Sequence, residues 1–326
     1  MTDPDNPYLP EPLAAAVTEF ETWMRQELEA EQSRSTPSMT LYHYTDCNAL
    51  HGIIEAQSIW CFLHRQQSDK HELQFGIDIA KRVVREVAEG DNPVVNSLLH
   101  GLHGMLDLHK MNDIYEFYFF SFSRHRDDRE QWKVYGRKGS GYSIGFAPEL
   151  FQPNQSKLLP QANQNVFVGK VLYGRDATRD RHRRTIRRLA GIVDRTSRAH
   201  PLLVCGKLGH AWFDAMNRAA LTQQIIWNCL TAKAASFKDE QETRYILLNE
   251  AEAFDPFRKN FRDRNYIETP LLLTERGNLT EIIVGPDAPA GAEDIARALL
   301  RDNGYPDGIP ISRSRASSQS AVKHPL

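Results

Sequence analysis

The sequence predicts an α+β protein, and three observations carry that expectation. Strand-like runs occur in hairpin-like pairs as well as separated by helices, so the order departs from the regular alternation of a doubly wound sheet. No GxGxxG joins a strand to a helix, and GRKGSG (136–141) lacks the residues of a phosphate-binding P-loop. Hydrophobic residues make up 41% of the 326 and aromatic ones 10%, which supplies the apolar surface of a sizeable core.

The start, MTDPDNPYLPEP, is acidic and proline-rich where a secretory signal would be basic and then apolar. No apolar run approaches the roughly 20 residues of a membrane span, so a soluble cytoplasmic protein is expected. Residues 1–38 form an N-terminal helical extension, in which Val17, Phe20, Met24 and Leu28 recur at helical spacing before SRSTPS breaks the pattern. The main domain is expected over 39–315. MTLYHYT reads as its first strand, and Thr45 or Asp46 is a natural cap for a helix with Leu50, Ile53 and Ile54 on one face. SIWCFL is a second strand. From Lys70 to about Leu106 the pattern is helical, with Phe75, Ile79 and Val83 on one stripe and a turn at GDNP.

IYEFYFFSFS (114–123) is aromatic-rich, free of Gly and Pro, and expected to be a central strand. DDREQWKVYGRKGSGY predicts a short helix with an acidic first turn, closed by a glycine-rich turn into the strand YSIGF. VFVGKVLYG (166–174) reads as one further strand. Helices follow around TRDRHRRTIRRLAGIVDRTSRAH and LGHAWFDAMNRAALTQQIIWNCLTAKAASF. The sheet resumes at ETRYILLNE, and LTEIIVGP, AGAEDIARALLRDNG and GIPISRS read as strand, helix, strand. Residues 316–326 lack periodicity and are expected to be a disordered tail.

Forty Lys and Arg against 42 Asp and Glu leave a net charge of −2, which selects no class of partner. Cys47, Cys61, Cys205 and Cys229 form no CxxC pair, which argues against a disulfide framework or zinc ribbon and for a reducing compartment.

Three islands interrupt strands with polar groups. In LYHYT, alternation puts Leu41, His43 and Thr45 on one face and Tyr42 and Tyr44 on the other. A lone strand histidine is ordinarily a satisfied core residue; beside Thr45 it also offers paired hydrogen-bonding groups to a ligand. In FFSFSR, Ser121 and Ser123 share a face, and two hydroxyls in an apolar strand need partners from a neighbouring strand or a ligand. Trp132 and Tyr135, three apart on the next helix, share a side where they can pack or stack on a flat ring. In FKDEQETRYIL, Glu240 and Glu242 lie two apart and, if extended, point the same way, as a charged strand edge or as a catalytic pair. Arg244 continues that face and can pair with Glu242.

Nine arginines crowd residues 175–198 against three aspartates. Arg179, Arg183 and Arg187 form one helical stripe and Arg184 and Arg188 another, which is either a solvated face or a phosphate-binding surface for nucleic acid. His100, His103 and His109 cluster loosely without a carboxylate motif, so no metal is expected. The GxSxG elbow of serine hydrolases is absent.

LYHYT, FSFS, DDREQWKVYGRKGSGYSIGF, FKDEQETR, LTEIIVGP and ISRSR, in this order over residues 40 to about 315, resemble the bacterial family labelled domain of unknown function 2971. That family in turn distantly resembles the ADP-ribosyltransferase superfamily. The resemblance implies a core in which one strand supplies a His or Arg, a second a Ser or Tyr, and a third a Glu, often as Glu-x-Glu. His43 would take the first place, with Ser121 or Ser123, or else Tyr142 from the YSIGF strand, in the second. Glu240 and Glu242 would take the third. The combination departs from the familiar His-Tyr-Glu and Arg-Ser-Glu sets.

Under that resemblance NAD is the substrate, bound by His43, Tyr44, Thr45, the hydroxyl residues, Trp132, Tyr135 and Arg244. Glu242 would stabilise the oxocarbenium-like centre and Glu240 would serve the acceptor. The expected activity is ADP-ribosyl transfer to a nucleic acid or protein, as a toxin or defence factor. The alternatives are a non-catalytic nucleotide or nucleic-acid binding module and an NAD glycohydrolase.

Overall fold

The protein is described from a computed structural model, which covers residues 9–35, 37–66, 72–108, 115–151 and 165–316. Residues 317–326 of the expected tail, His109 and the first residue of the 114–123 run lie outside the described residues.

In chain order, α1 (Glu11–Ser35) is followed by β1 (Leu41–Thr45) and α2 (Cys47–Ala56), whose cap is Asp46, accepting from Ala49 N at 2.9 Å. Next come β2 (Ser58–Leu63), α3 (Glu72–Val87), α4 (Pro93–Met105), β3 (Tyr115–Ser123), α5 (Arg129–Val134) and β4 (Tyr142–Phe146). The run read as one strand at 166–174 divides into β5 (Asn165–Lys170) and β6 (Leu172–Tyr173). Val171 N bonds Glu242 O, but Leu172 N turns to Thr231 O, so successive amides serve different partners and the strand cannot continue. Then follow α6 (Arg175–Ala199), α7 (Gly206–Ala220), a π-helical turn (Leu221–Ile225), α8 (Ile226–Leu230), β7 (Ala232–Lys233), β8 (Glu242–Glu250), the hairpin β9 (Arg258–Phe261) and β10 (Arg264–Pro270), β11 (Leu279–Val284), α9 (Ala292–Asp302) and β12 (Ile311–Arg313).

The chain divides into two compact units. The first, Met1–Arg34, Ser68–Tyr115 and Leu172–Lys238, is mainly helical. Apolar stripes of α1 (Leu13, Phe20, Met24), α3 (Ile77, Val83), α6 (Ile186, Leu189, Val193) and α7 (Trp212, Met216) are fully buried in it. Gly76 permits close approach of α3 and α8, since a Cβ there would lie 2.6 Å from Cys229 Cα. The β6 and β7 strands pair in parallel at its margin.

The second unit, Ser35–Gln67, Glu116–Val171 and Asp239–Leu326, holds a ten-stranded sheet. Its order is β12-β11-β4-β1-β3-β2-β10-β9, with β8 bordering both β3 and β5. The β11–β12 pair is parallel, whereas β1–β3, β1–β4, β2–β3, β2–β10, β9–β10, β5–β8 and β4–β11 are antiparallel. One core packs Leu41, Ile54, Phe122, Phe146, Phe151, Tyr245 and Leu299 together. Tyr42, Tyr44, Trp132 and Ile283 form a separate apolar cluster. This α+β architecture is the expected class, and no described helix is long and apolar enough to cross a membrane.

Candidate functional site

Strand β3 pairs with β8 as well as with β1, so residues distant in sequence meet on three neighbouring strands. Ser121, on β3, donates its hydroxyl to Glu242 Oε1 at 2.6 Å, a short bond of the kind a charged acceptor makes. The backbone oxygen of the same serine lies 3.0 Å from His43 Nδ1 on β1. A carbonyl can only accept, so Nδ1 carries the proton and Nε2 is left as an acceptor. Burial disfavours the imidazolium and pushes His43 down to about 4, so the ring is neutral at pH 7. His43 packs on the Phe120 ring with centroids 4.1 Å apart. His43, Ser121 and Glu242 therefore form one continuous chain of contacts.

Arg244 completes the cluster. Its Nε donates to Glu242 Oε1 at 2.8 Å and its Nη2 to Oε2 at 2.9 Å, a bidentate pair that fixes the carboxylate plane. The two residues are only 2% and 7% exposed. The guanidinium also lies 4.9 Å from the Phe119 ring centroid. The expected pairing follows from strand alternation, because positions 242 and 244 share a face of β8.

Glu240 does not share that face. It ends a 3-10 turn (Ala235–Glu240), and Gln241, at φ 43°, turns the chain through the left-handed region before β8 begins at Glu242. The two-residue spacing therefore does not act as strand alternation here. Glu240 instead accepts from Tyr135 OH at 2.7 Å, while its backbone oxygen accepts from Ser123 Oγ at 2.9 Å. Ser123 Oγ also accepts from His125 N at 3.1 Å, so the second serine secures the turn that carries Glu240.

Trp132 and Tyr135 occupy different environments although they are three apart. Trp132 is 2% exposed, packs edge-on against Tyr44 at 4.8 Å and donates Nε1 to Asp127 Oδ1 at 2.7 Å. Tyr135 ends the helix and is exposed. Tyr44 donates to His125 O and accepts from Asp128 N, both at 2.9 Å, which fixes the loop between β3 and α5. Tyr142 is buried in the main core, donating to Ala292 O at 3.3 Å, with its pKa pushed up to about 12, chiefly by burial. Its hydroxyl therefore belongs to the α9 side of β4. Thr45 is buried at the end of β1, opposite Tyr142. Sequence reasoning missed Asp127, which accepts from Trp132, Ser314 Oγ (2.6 Å) and Arg315 N (2.8 Å) and so ties ISRSR to this loop. Its signal was an acidic residue just ahead of the capping Asp128.

The arginines of α6 lie in the helical unit, where acidic side chains answer most of them. Arg181 meets Glu31, Arg184 meets Glu27, and Arg188 and Arg195 share Glu19, so an antiparallel ion ladder joins α6 to α1. Arg183 pairs with Glu86 and Asp180, and Arg179 with Asp176. Of the two stripes expected to face phosphate, only Arg187 is exposed without an acidic partner among the described residues. His100 bonds Asn96 O at 2.7 Å on an exposed helix face. No group of three or more His, Cys, Asp or Glu is placed to hold a metal ion among the described residues.

A family described as "Protein of unknown function (DUF2971)" matches residues 131–245, from Gln131 on α5 to Tyr245 on β8. That stretch includes Glu240, Glu242, Arg244 and the arginine helix, whereas His43 and Ser121 precede it. No curated protein and no solved structure matches the chain.

Proposed function

We propose that the chain transfers ADP-ribose from NAD to a macromolecular acceptor, nucleic acid or protein, as a toxin or defence factor. The supporting observation is the contact chain His43–Ser121–Glu242 across β1, β3 and β8, in the order His, Ser, Glu that the resemblance to ADP-ribosyltransferases implied. Ser121 is then the second-strand residue in this reading, ahead of Ser123 and Tyr142.

In this mechanism the nicotinamide–ribose bond breaks with its electron pair leaving on nicotinamide, and positive charge grows on the ribose ring. Glu242, held in plane by Arg244 and Ser121, hydrogen-bonds the ribose 2-hydroxyl and stabilises that charge. His43 Nε2, an acceptor, takes a ribose hydroxyl. The acceptor nucleophile bonds to the ribose carbon and gives its proton to Glu240, with Tyr135 orienting that carboxylate.

One observation favours a second reading, a binding module without turnover. Both Glu242 oxygens are already engaged by Ser121 and Arg244. An NAD glycohydrolase would use the same site with water as acceptor.

Nicotinamide release from NAD by the full chain, alone and with RNA, DNA or cell extract, tests these readings beside Glu242→Gln. Transfer predicts release only with an acceptor, reduced about a hundredfold or more by the substitution. Release without an acceptor identifies the glycohydrolase, and NAD binding without release identifies the binding module. Neither binding nor release removes the transferase and the glycohydrolase and leaves a module for another nucleotide or a nucleic acid.

A further inference from the structure

We infer that the outer face of the β2–β10–β9 ribbon binds single-stranded nucleic acid, with bases stacked on its rings and phosphates held by its arginines. Alternation sends Ile59, Cys61 and Leu63 of β2 and Ile267 of β10 into the core. The intervening residues stand on the opposite face. There, Phe62 is opposite Tyr266, Tyr266 is opposite Lys259, and Arg264 is opposite Phe261. Trp60 stacks on Tyr266 with centroids 4.2 Å apart and planes at 21°, and meets Phe261 at 5.4 Å and Phe62 at 6.4 Å. Four aromatic rings thus form one contiguous array, with Phe261 44% exposed at its edge.

Two exposed guanidinium groups border the array. Arg264 lies 4.1 Å from the Phe62 centroid and Arg262 lies 5.0 Å from that of Phe261. Neither has a carboxylate partner among the described residues, whereas Arg258 on the same hairpin is paired with Glu116 and Asp255, and Lys259 with Glu268. Arg262 and Asp263 both hold left-handed φ, 49° and 60°, in a two-residue turn that glycine or asparagine would occupy more easily. Unpaired cations beside the exposed Phe261 ring and the half-buried Trp60 and Phe62 rings, with the buried Tyr266 backing them, complement phosphates beside unstacked bases. A duplex offers phosphates but hides its base faces, so the array favours single strands. This surface does not depend on NAD chemistry.

The test is fluorescence anisotropy of the full chain with labelled oligouridylate, oligothymidylate and a mixed-sequence duplex. Both single strands should bind more tightly than the duplex. Phe261→Ala should weaken single-strand binding about fivefold to a hundredfold, the range for one stacked base. Arg264→Ala should weaken it and lower the slope of log affinity against log salt by about one. Both side chains are exposed, so loss of binding with unchanged thermal unfolding is expected; Trp60→Ala adds a more buried check. Equal affinity for duplex, absence of single-strand binding, or indifference to both Phe261→Ala and Arg264→Ala would overturn the inference. Nicotinamide release is read separately, so failure of either proposal leaves the other standing.

Discussion

The helical unit and the sheet unit each hold a charged cluster, and they use charge in opposite ways. In the first, α6 carries nine arginines, and α1 and α3 meet five of them with Glu19, Glu27, Glu31 and Glu86 over a mostly solvated surface. In the second, one carboxylate and one guanidinium, Glu242 and Arg244, are buried together, with the Ser121 hydroxyl donating to the carboxylate. Many exposed pairs contribute little each, whereas one buried pair is unforgiving because neither partner has water to fall back on. Density of charge along a sequence is thus a poor guide to which charges matter.

The largest expected effect breaks the buried pair. Arg244→Ala leaves Glu242 7% exposed without its bidentate partner and should cost about 3–5 kcal/mol in urea unfolding. Replacing both residues by Arg244→Met with Glu242→Leu should recover much of that loss. If the single change costs under about 1 kcal/mol, the pair behaves like the helix ladder and the contrast fails.

The next effect concerns His43, whose neutral ring anchors the same cluster. Its pKa is lowered from 6.5 to about 4, so between those values the unfolded chain binds the proton and the folded chain resists it. Stability is then complete above about pH 6.5 and declines as pH falls toward 4, by about 3 kcal/mol for this ring. His182, buried on α6 and lowered to about 3, adds a loss of the same sign. His43→Asn should therefore remove part of the acid-side slope and leave the His182 share. A slope unchanged in His43→Asn would mean that His43 is protonated in the folded protein.

The contrast also explains what the sequence disclosed. Local patterns were legible: LYHYT became β1 at Leu41–Thr45, SIWCFL became β2, and FYFFSFS lies within β3. The pairing of Glu242 with Arg244 was legible because both sit on one strand. Partners from other elements were hidden. Ser121 and Glu242 are 121 residues apart, and Glu31 and Arg181 are 150 apart, so neither contact leaves a local trace. The Glu-x-Glu spacing misled because a left-handed Gln241 interrupts the strand. The β9–β10 hairpin passed unnoticed because its turn is Arg262–Asp263 where Asn-Gly would have announced it.

A smaller effect separates the Ser121 hydroxyl from the ion pair it supports. Ser121→Ala removes the 2.6 Å bond to Glu242 but leaves Arg244 in place, and should cost about 2 kcal/mol, the scale of a hydrogen bond to a charged group. Thr at this position keeps the hydroxyl and the β propensity, so Ser121→Thr should retain most of the stability. Equal losses in both variants would trace the effect to packing beside Phe120 and Phe122.

The smallest effect on stability falls on the ladder, and it tests whether α6 is a masked phosphate surface. Glu19 is 40% exposed and serves both Arg188 and Arg195. Glu19→Gln should destabilise by less than about 1 kcal/mol, and less still at high salt, because solvent already screens these pairs. It also releases two guanidinium groups on one helix. If α6 can hold phosphates once its carboxylates are withdrawn, duplex binding should appear in Glu19→Gln with about two more units of salt slope than the parent. Measuring this in an Arg262→Ala/Arg264→Ala background removes the hairpin contribution. Unchanged duplex binding would assign the arginine helix wholly to holding α1, making its charge structural despite its solvation.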